Sequence, residues 1–163
     1  YAGGLRVGDI VASVDGHEVF DLQGLRFRFV TRPIGMSVYL KVLRDGHETD
    51  MEVALIAPPE LPLRDIRNII GENPLAGSVV GNLSPAFAQE LNVDSHKTGV
   101  IVLQVRQGYG ARLGLRPGDI VAEINGKVIG TTEELISVLR KQKGQWRVVI
   151  DRGGKLMRVV VTL

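Results

Sequence analysis

The chain has 163 residues, of which 44% are hydrophobic and 23% charged, with a formal net charge of +2 and no cysteine. This balance is typical of globular proteins, and the length suits one or two small domains. The lack of cysteine excludes disulfides, thiolate metal sites and a cysteine nucleophile. The apolar runs are too short to span a bilayer, and the scattered basic residues argue against nucleic acid as a partner.

A twelve-residue segment occurs twice. Residues 5–16 (LRVGDIVASVDG) match residues 115–126 (LRPGDIVAEING) without a gap, at eight of twelve positions. A repeat at this spacing indicates a duplicated module. Because a long stretch precedes the second copy only, we expect the first copy to lack its N-terminal part.

In the first copy, residues 10–14 form a β-rich run that Asp15-Gly16, a tight-turn pair, closes. Residues 21–30 are ambiguous, because some apolar residues alternate as in a strand and others have helical spacing after Asp21. The repeat favours the helix. A hairpin of residues 37–43 and 51–56 across Asp45-Gly46 follows.

Three prolines within residues 58–62 disfavour a helix or a central strand. We therefore predict a module over residues 1–57, a linker over 58–62 and a second module over 63–163. Apolar residues at 63, 66, 69 and 70 predict a short helix at the start of the second module.

The second module continues with a glycine-bearing loop over residues 75–78 and a strand over 78–83. A helix is predicted after Ser84, with Pro85 in its first turn, and a strand over 99–106. After the Asn125-Gly126 turn, Thr131 or Thr132 can cap another helix, and Thr131 with Glu134 makes a capping box. Its residues at helical spacing are Leu135, Val138, Leu139 and Gln142, and Gly144 ends it. A hairpin of residues 145–151 and 156–163 closes the module.

The glycine loop, the Gly-Asp-Ile-Val segment with its flanks, the Asn-Gly turn and the closing hairpin together resemble a PDZ domain. Their circularly permuted order resembles the PDZ domains of the HtrA/Do (DegP-type) bacterial serine proteases. The resemblance implies an α+β fold with two PDZ-like modules, each a small antiparallel β-sandwich or barrel with capping helices, the first incomplete. It also implies a periplasmic location.

A PDZ domain binds a peptide as an added strand, and the N–H groups of its glycine loop hold the terminal carboxylate. By this resemblance the groove has two walls, the loop with its strand and one face of the last helix. The implied peptide-binding residues are Leu75, Ala76, Gly77, Ser78, Val79, Val80, Thr132, Ile136 and Leu139. Leu135 and Val138 are expected to face the core.

One position departs from the family pattern. Ser78 stands where a large apolar residue normally forms the floor of the pocket for the last ligand side chain. This departure favours a role in assembly over substrate capture. The first module has no loop or loop-following strand, so we expect it not to bind peptide in the family's way. We also expect residues 10–14 and the Phe27/Phe29 segment to be uncovered there, unless a further part of the parent protein or another chain covers them.

We predict no catalytic residue in this chain, because no serine has the Gly-x-Ser-Gly-Gly-like setting of a serine protease. The tetrapeptide Asp-Gly-His-Glu occurs at residues 15–18 and 45–48. Two hairpin turns explain it better than a metal site, because no pair of ligands has helical i,i+4 spacing. We therefore predict no metal and no cofactor.

The expected function is the non-catalytic peptide-binding and regulatory region of a Do-type serine endopeptidase. Its expected partners are protein C-termini or unfolded segments and other protomers of the same protein. One alternative is an assembly module without a peptide ligand. Another is the PDZ region of an intramembrane metalloprotease.

Overall fold

The computed structural model describes residues 4–141 and 144–163. The chain divides into two compact units, Tyr1–Ala57 and Pro58–Leu163. Both contain helices and antiparallel strands, which confirms the predicted α+β class. Gln142, which the helix prediction included, lies outside the described residues. Within the described ranges, no helix is long and apolar enough to cross a membrane.

The first unit is a four-stranded antiparallel sheet with one helix. Its elements are β1 (Ile10–Val14), β2 (His17–Glu18), α1 (Leu22–Val30), β3 (Ser37–Arg44) and β4 (His47–Ala54), and the sheet order is β2-β1-β3-β4. The helical interpretation of residues 21–30 is confirmed, because Asp21 Oδ1 caps α1 by accepting the Gly24 N–H at 2.6 Å. Asp15 and Gly16 have φ values of 48° and 77°, which an Asp-Gly hairpin turn favours.

The core of the first unit is small. Its buried residues are Val14, Val38, Leu40 and Val42. Helix α1 has no fully buried residue, and Phe27 is 70% exposed. The predicted exposure is therefore confirmed for Ile10 and Phe27 but is wrong for Val14, because Val14 pairs with Leu40 of β3 and packs in this core. It is also wrong for Val11 and Phe29, which are half-buried and pack against the same core.

The second unit has a longer antiparallel sheet. Its strands are β5 (Arg67–Asn68), β6 (Ser78–Leu83), β7 (Gly99–Val105), β8 (Ile120–Ile124), β9 (Lys127–Val128), β10 (Gln145–Arg152) and β11 (Lys155–Thr162). Its helices are α2 (Pro85–Glu90), α3 (Tyr109–Arg112) and α4 (Thr132–Lys141). The sheet order is β11-β10-β8-β7-β6-β5, and β9 pairs with β8. The predicted capping box is confirmed, because Thr131 Oγ1 accepts the Glu134 N–H at 3.2 Å and Glu134 Oε2 accepts the Thr131 N–H at 3.3 Å.

The predicted short helix over residues 63–70 is wrong, because this segment is extended and contains β5. Its apolar residues do not share a buried face: Ile69 is 4% exposed, whereas Ile66 is 55% and Ile70 is 83% exposed. Its backbone forms hydrogen bonds with β6 instead of the bonds within the segment that a helix would make. A helix would need the three isoleucines on one packed side.

The repeated Gly-Asp pair anchors the same turn in both units. Arg44, at the end of β3, donates from Nε and Nη2 to the two oxygens of Asp9 at 2.7 Å each. Arg152, at the end of β10, binds Asp119 in the same way at 2.7 and 2.8 Å. The Arg44 guanidinium, helped by the Arg6 N–H, lowers the pKa of Asp9 to about 2. The repeat therefore carries a bidentate ion pair in addition to a turn.

Candidate functional site

The structure brings the two predicted walls of the groove together in the second unit. Leu75 and Val80 from the loop and β6 share a buried cluster with Leu135 and Leu139 of α4. The Thr132 N–H, at the start of α4, donates to Asn82 Oδ1 at 2.7 Å. The loop side and the helix side are thus parts of one packed core. Of the two positions expected to face it, Leu135 is buried and Val138 is half-buried.

Gly77 is the residue that shapes the loop. Its φ is +90°, and a Cβ added there would lie 2.6 Å from the carbonyl oxygen of Gln107. Such a contact is too short for any side chain, and the φ value also disfavours one. The sequence therefore needs glycine here for two independent reasons, close backbone approach and a left-handed conformation.

The four N–H groups that were expected to hold a ligand carboxylate all donate within the chain. The acceptors are Asn73 Oδ1 for Leu75 (3.1 Å), Asn73 O for Ala76 (3.1 Å), Ile69 O for Gly77 (2.9 Å) and Leu75 O for Ser78 (3.1 Å). Three of these bonds lie within residues 73–78. Only the Gly77 bond reaches an earlier segment.

Ser78 is 1% exposed, and its hydroxyl donates to Leu75 O at 2.6 Å. A large apolar side chain at this position would form the floor of a pocket, whereas Ser78 closes the loop on itself. The half-buried Val79 and the fully buried Val80 continue β6. The departure noted in the sequence thus has a structural role in the loop.

The edge of β6 that faces away from β7 carries the chain's own residues 64–70, which we call the resident segment. In β5, Arg67 pairs with Val80 and Asn68 pairs with Val79, antiparallel. The pairing extends at both ends, because the Ile69 N–H donates to Ser78 O at 2.9 Å and the Asn82 N–H donates to Arg64 O at 2.6 Å. The segment lies along the strand to which the resemblance assigns an added peptide.

Side chains hold the resident segment at three places. Ile69 is buried in the cluster that contains Leu75 and Leu139. Asp65, whose φ is 37°, accepts a hydrogen bond from Thr132 Oγ1, and this bond lowers the pKa of the Asp65 carboxyl. Arg64 forms two hydrogen bonds with Glu90, at 2.6 and 2.8 Å, and its guanidinium lies 4.4 Å from the Phe87 ring centroid.

Two open pockets lie along α4. One has a volume of about 530 Å³ and is formed by residues 67–73 together with Ile136, Leu139 and Arg140. The other has a volume of about 520 Å³ and lies between Asp65, Arg67 and the face of α4 that includes Ile136. Of the predicted residues of α4, Ile136 is half-buried and lines both pockets. Leu139 lines the first pocket but is 8% exposed and packs in the core, and Thr132 is buried and contacts Asp65.

Sequence reasoning missed Ile69, Asp65, Asn73 and Asn82. Asn82 carried a usable signal, because it is a polar residue within a strand whose neighbours are buried. It is 6% exposed, and its side chain accepts the Thr132 N–H and donates to Leu63 O at 2.8 Å. A buried amide needs such partners. Its presence in β6 therefore indicated that another segment lies against this strand.

Comparison with known proteins agrees with this architecture. PDZ domain families match residues 1–55 and residues 100–152. The probable periplasmic serine endoprotease DegP-like of Chlamydia muridarum is 30% identical over 159 residues, covering 97% of this chain and 31% of the relative. That of Marinomonas sp. is 31% identical over 137 residues, covering 84% of this chain and 28% of the relative.

The periplasmic serine endoprotease DegP of Escherichia coli is 24% identical over 151 residues, covering 92% of this chain and 29% of the relative. The chain thus spans about a third of the length of these relatives. The duplicated ion-paired turn, the glycine loop and these similarities all point to the same family. The chain belongs to the PDZ domain family, with two PDZ domains similar to the corresponding region of DegP-like serine endoproteases.

Proposed function

We propose that this chain is the non-catalytic PDZ region of a periplasmic serine endoprotease, and that it recognises polypeptide for that protease. The names of the relatives support the protease and the periplasm. In this proposal, peptide-bond cleavage belongs to another part of the whole protein. The second PDZ domain binds C-terminal or unfolded segments, and both domains contribute to contacts between protomers.

The recognition site is the edge of β6 in the second domain, with the loop and strand residues 75–80 on one side and Ile136 and Leu139 of α4 on the other. The pairing of β6 with β5 supports this proposal most directly. An extended chain fits the edge in antiparallel register, with hydrogen bonds along the backbone and one apolar side chain in the core. Strand addition gives affinity through the main chain in this way.

A second candidate function is assembly without a peptide ligand. The resident segment fills the edge of β6, and all four loop N–H groups already have acceptors. A domain closed in this way is suited to contacts with neighbouring protomers.

The names of the relatives favour a serine protease over an intramembrane metalloprotease as the parent.

Calorimetric titration distinguishes the two functions. The full chain is titrated with unstructured peptides that carry apolar residues, both with a free carboxylate and amidated, and its mass is measured by sedimentation. Binding in the micromolar to millimolar range that Gly77→Asp abolishes supports recognition, provided that the variant keeps its far-UV spectrum. No heat up to millimolar peptide, together with a mass that rises with concentration, supports assembly and contradicts recognition.

A further inference from the structure

We propose that residues 64–70 are a displaceable ligand of the second PDZ domain, and that the external ligand replacing them is an internal extended segment with an aliphatic side chain at the position of Ile69. This inference rests on the proposed function and deepens it. The inference identifies the segment that competes for the site and the class of peptide that displaces it. The observations that carry it are the backbone pairing, the single buried side chain and the use of the loop N–H groups.

The resident segment makes the main-chain bonds of an added strand along the whole of β6. At one end the Asn82 N–H donates to Arg64 O, and at the other end the Gly77 N–H donates to Ile69 O. An external strand at this edge would need the same donors and acceptors. The two strands therefore cannot bind together, and the resident segment lowers the apparent affinity for any competitor.

Ile69 specifies the side chain that the site accepts. It is 4% exposed and packs with Leu75, Val80 and Leu139, whereas its neighbour Ile70 is 83% exposed. Of residues 64–70, only Ile69 belongs to the buried core. Leu75, Val80 and Leu139, which share this cluster, are all aliphatic. A competing peptide consequently needs one aliphatic residue in this register, and burial of that residue contributes the hydrophobic part of its affinity.

The loop favours internal segments over free C-termini. The chain continues beyond Ile69 through Ile70, whose carbonyl accepts the Asn73 Nδ2 proton at 2.9 Å, and Gly71, whose φ is +95°. Of the four loop N–H groups, displacement of the resident segment frees only that of Gly77, because those of Leu75, Ala76 and Ser78 donate within residues 73–78. One N–H does not make the nest that a carboxylate needs.

The resident segment has the features of a strand that can open separately from the domain. Strand β5 has two residues and lies at the end of the sheet. The charged side chains that hold the segment are partly in water: Arg64 is 30%, Asp65 31% and Arg67 55% exposed. Edge strands with few buried contacts open at lower free energy than the core.

A disulfide across the two strands tests displacement directly. Because the Ile69 N–H donates to Ser78 O, the next pair, Asn68 and Val79, is a non-hydrogen-bonded pair. Cα atoms in such pairs are about 4.5 Å apart, within the range that a disulfide bridges. The chain has no cysteine of its own. The variant Asn68→Cys/Val79→Cys can therefore be locked by oxidation and released by reduction.

The probe is a fluorescent peptide that copies residues 61–72, blocked at both ends, and binding to the full chain is measured by anisotropy. We expect the oxidised variant to bind at least about tenfold more weakly than the reduced one. Ile69→Ala weakens the binding of the resident segment to β6 and leaves empty the space that the Ile69 side chain filled. This variant should therefore bind the probe at least about tenfold more tightly than the parent. Ile70→Ala, a matched change at the exposed neighbour, should bind like the parent.

The outcomes separate this inference from the proposed function. Equal binding by the oxidised and reduced variants means that peptide binds with the resident segment in place, which overturns the inference and leaves recognition standing. A free-carboxylate version of the probe, ending at the residue that matches Ile69, overturns the preference for internal segments if it binds more than about tenfold tighter. No binding by any variant, Ile69→Ala included, overturns both.

Amide hydrogen exchange provides a readout that needs no ligand. In Ile69→Ala the Gly77 and Asn82 amides, which donate to the resident segment, should exchange faster than in the parent. The Val102 amide, which donates to Asp119 O at 2.8 Å, should be unchanged. Equal acceleration at all three positions would mean that the whole domain loosens, which contradicts local displacement.

Discussion

The Gly77 N–H donates to the carbonyl oxygen of Ile69 at 2.9 Å. A backbone donor that the family resemblance assigns to a ligand carboxylate is thus used by an earlier residue of the same chain. The same earlier residue places its side chain in the core. Under the proposal, recognition by this domain therefore depends on the balance between the resident segment and an external strand.

The glycine of the loop should tolerate no side chain. We expect Gly77→Ala to lower the free energy of unfolding of the second domain by about 2 to 4 kcal/mol, because a positive φ and a backbone clash act together. Gly118→Ala is the matched control: its φ is +92°, close to the +90° of Gly77, and a Cβ there has no atom within 4 Å. It should cost about 1 to 2 kcal/mol. If urea unfolding shows that Gly77→Ala and Gly118→Ala lose the same free energy of unfolding, the close approach of Gly77 to Gln107 is contradicted.

The corresponding leucines of the two repeats should differ in their contribution to stability. Leu135 is fully buried in α4, whereas Leu25 of α1 is only partly buried. We expect Leu135→Ala to cost about 3 to 5 kcal/mol and Leu25→Ala less than about 2 kcal/mol. Trp146, which is the only tryptophan and lies in the second core, reports unfolding there by fluorescence. The account fails if Leu25→Ala is the more costly change.

The Asp119 carboxylate should be needed for stability as well as for the turn. Asp119→Asn keeps the shape but weakens both bonds from Arg152. We expect a clear fall in the melting temperature of the second domain, because a charge-assisted bidentate pair is lost and Asp119 is 1% exposed. Asp45→Asn, at a hairpin turn in the first unit, is the control. A melting temperature for Asp119→Asn equal to that of the parent would show that Gly118 alone sets the turn.

Acid should loosen the resident segment. The hydrogen bond from Thr132 lowers the pKa of Asp65 below its ordinary value of 3.8, and Arg67 adds to the effect. The stabilisation is therefore complete above about pH 3.8 and is lost as the pH falls through the lowered pKa of the folded state. Exchange at the Asn82 amide should accelerate over that range, after correction for the intrinsic rate. Thr132→Val removes the donor, and its profile should be flatter; identical profiles would contradict this role of Asp65.

The fold was accessible from the sequence because its main signals are local. Thr131 with Glu134 predicted the start of α4, because caps act within one turn, whereas the local pattern left residues 21–30 ambiguous between a helix and a strand. The repeat resolved the one ambiguous element. Arg44 and Arg152 escaped notice because each meets its aspartate only after the strands have paired, which no local pattern records.

The resident segment was not predictable for a similar reason. Its isoleucines at 66, 69 and 70 fit a helical spacing, and only the pairing with Val79 and Val80 makes it a strand. Nonlocal pairing overrides weak local preference in short segments. The loop and helix residues were nevertheless assigned from family resemblance, and their use by an external peptide stays a prediction.

The most direct test of the central claim is an NMR titration of the full chain with the blocked peptide copying residues 61–72, following the backbone amides of residues 75–83. Strand exchange at β6 predicts saturable shifts at Gly77, Val79 and Asn82, together with shifts in residues 64–70 as the resident segment leaves. Shifts confined to other surfaces, or none up to millimolar peptide, would contradict recognition at β6.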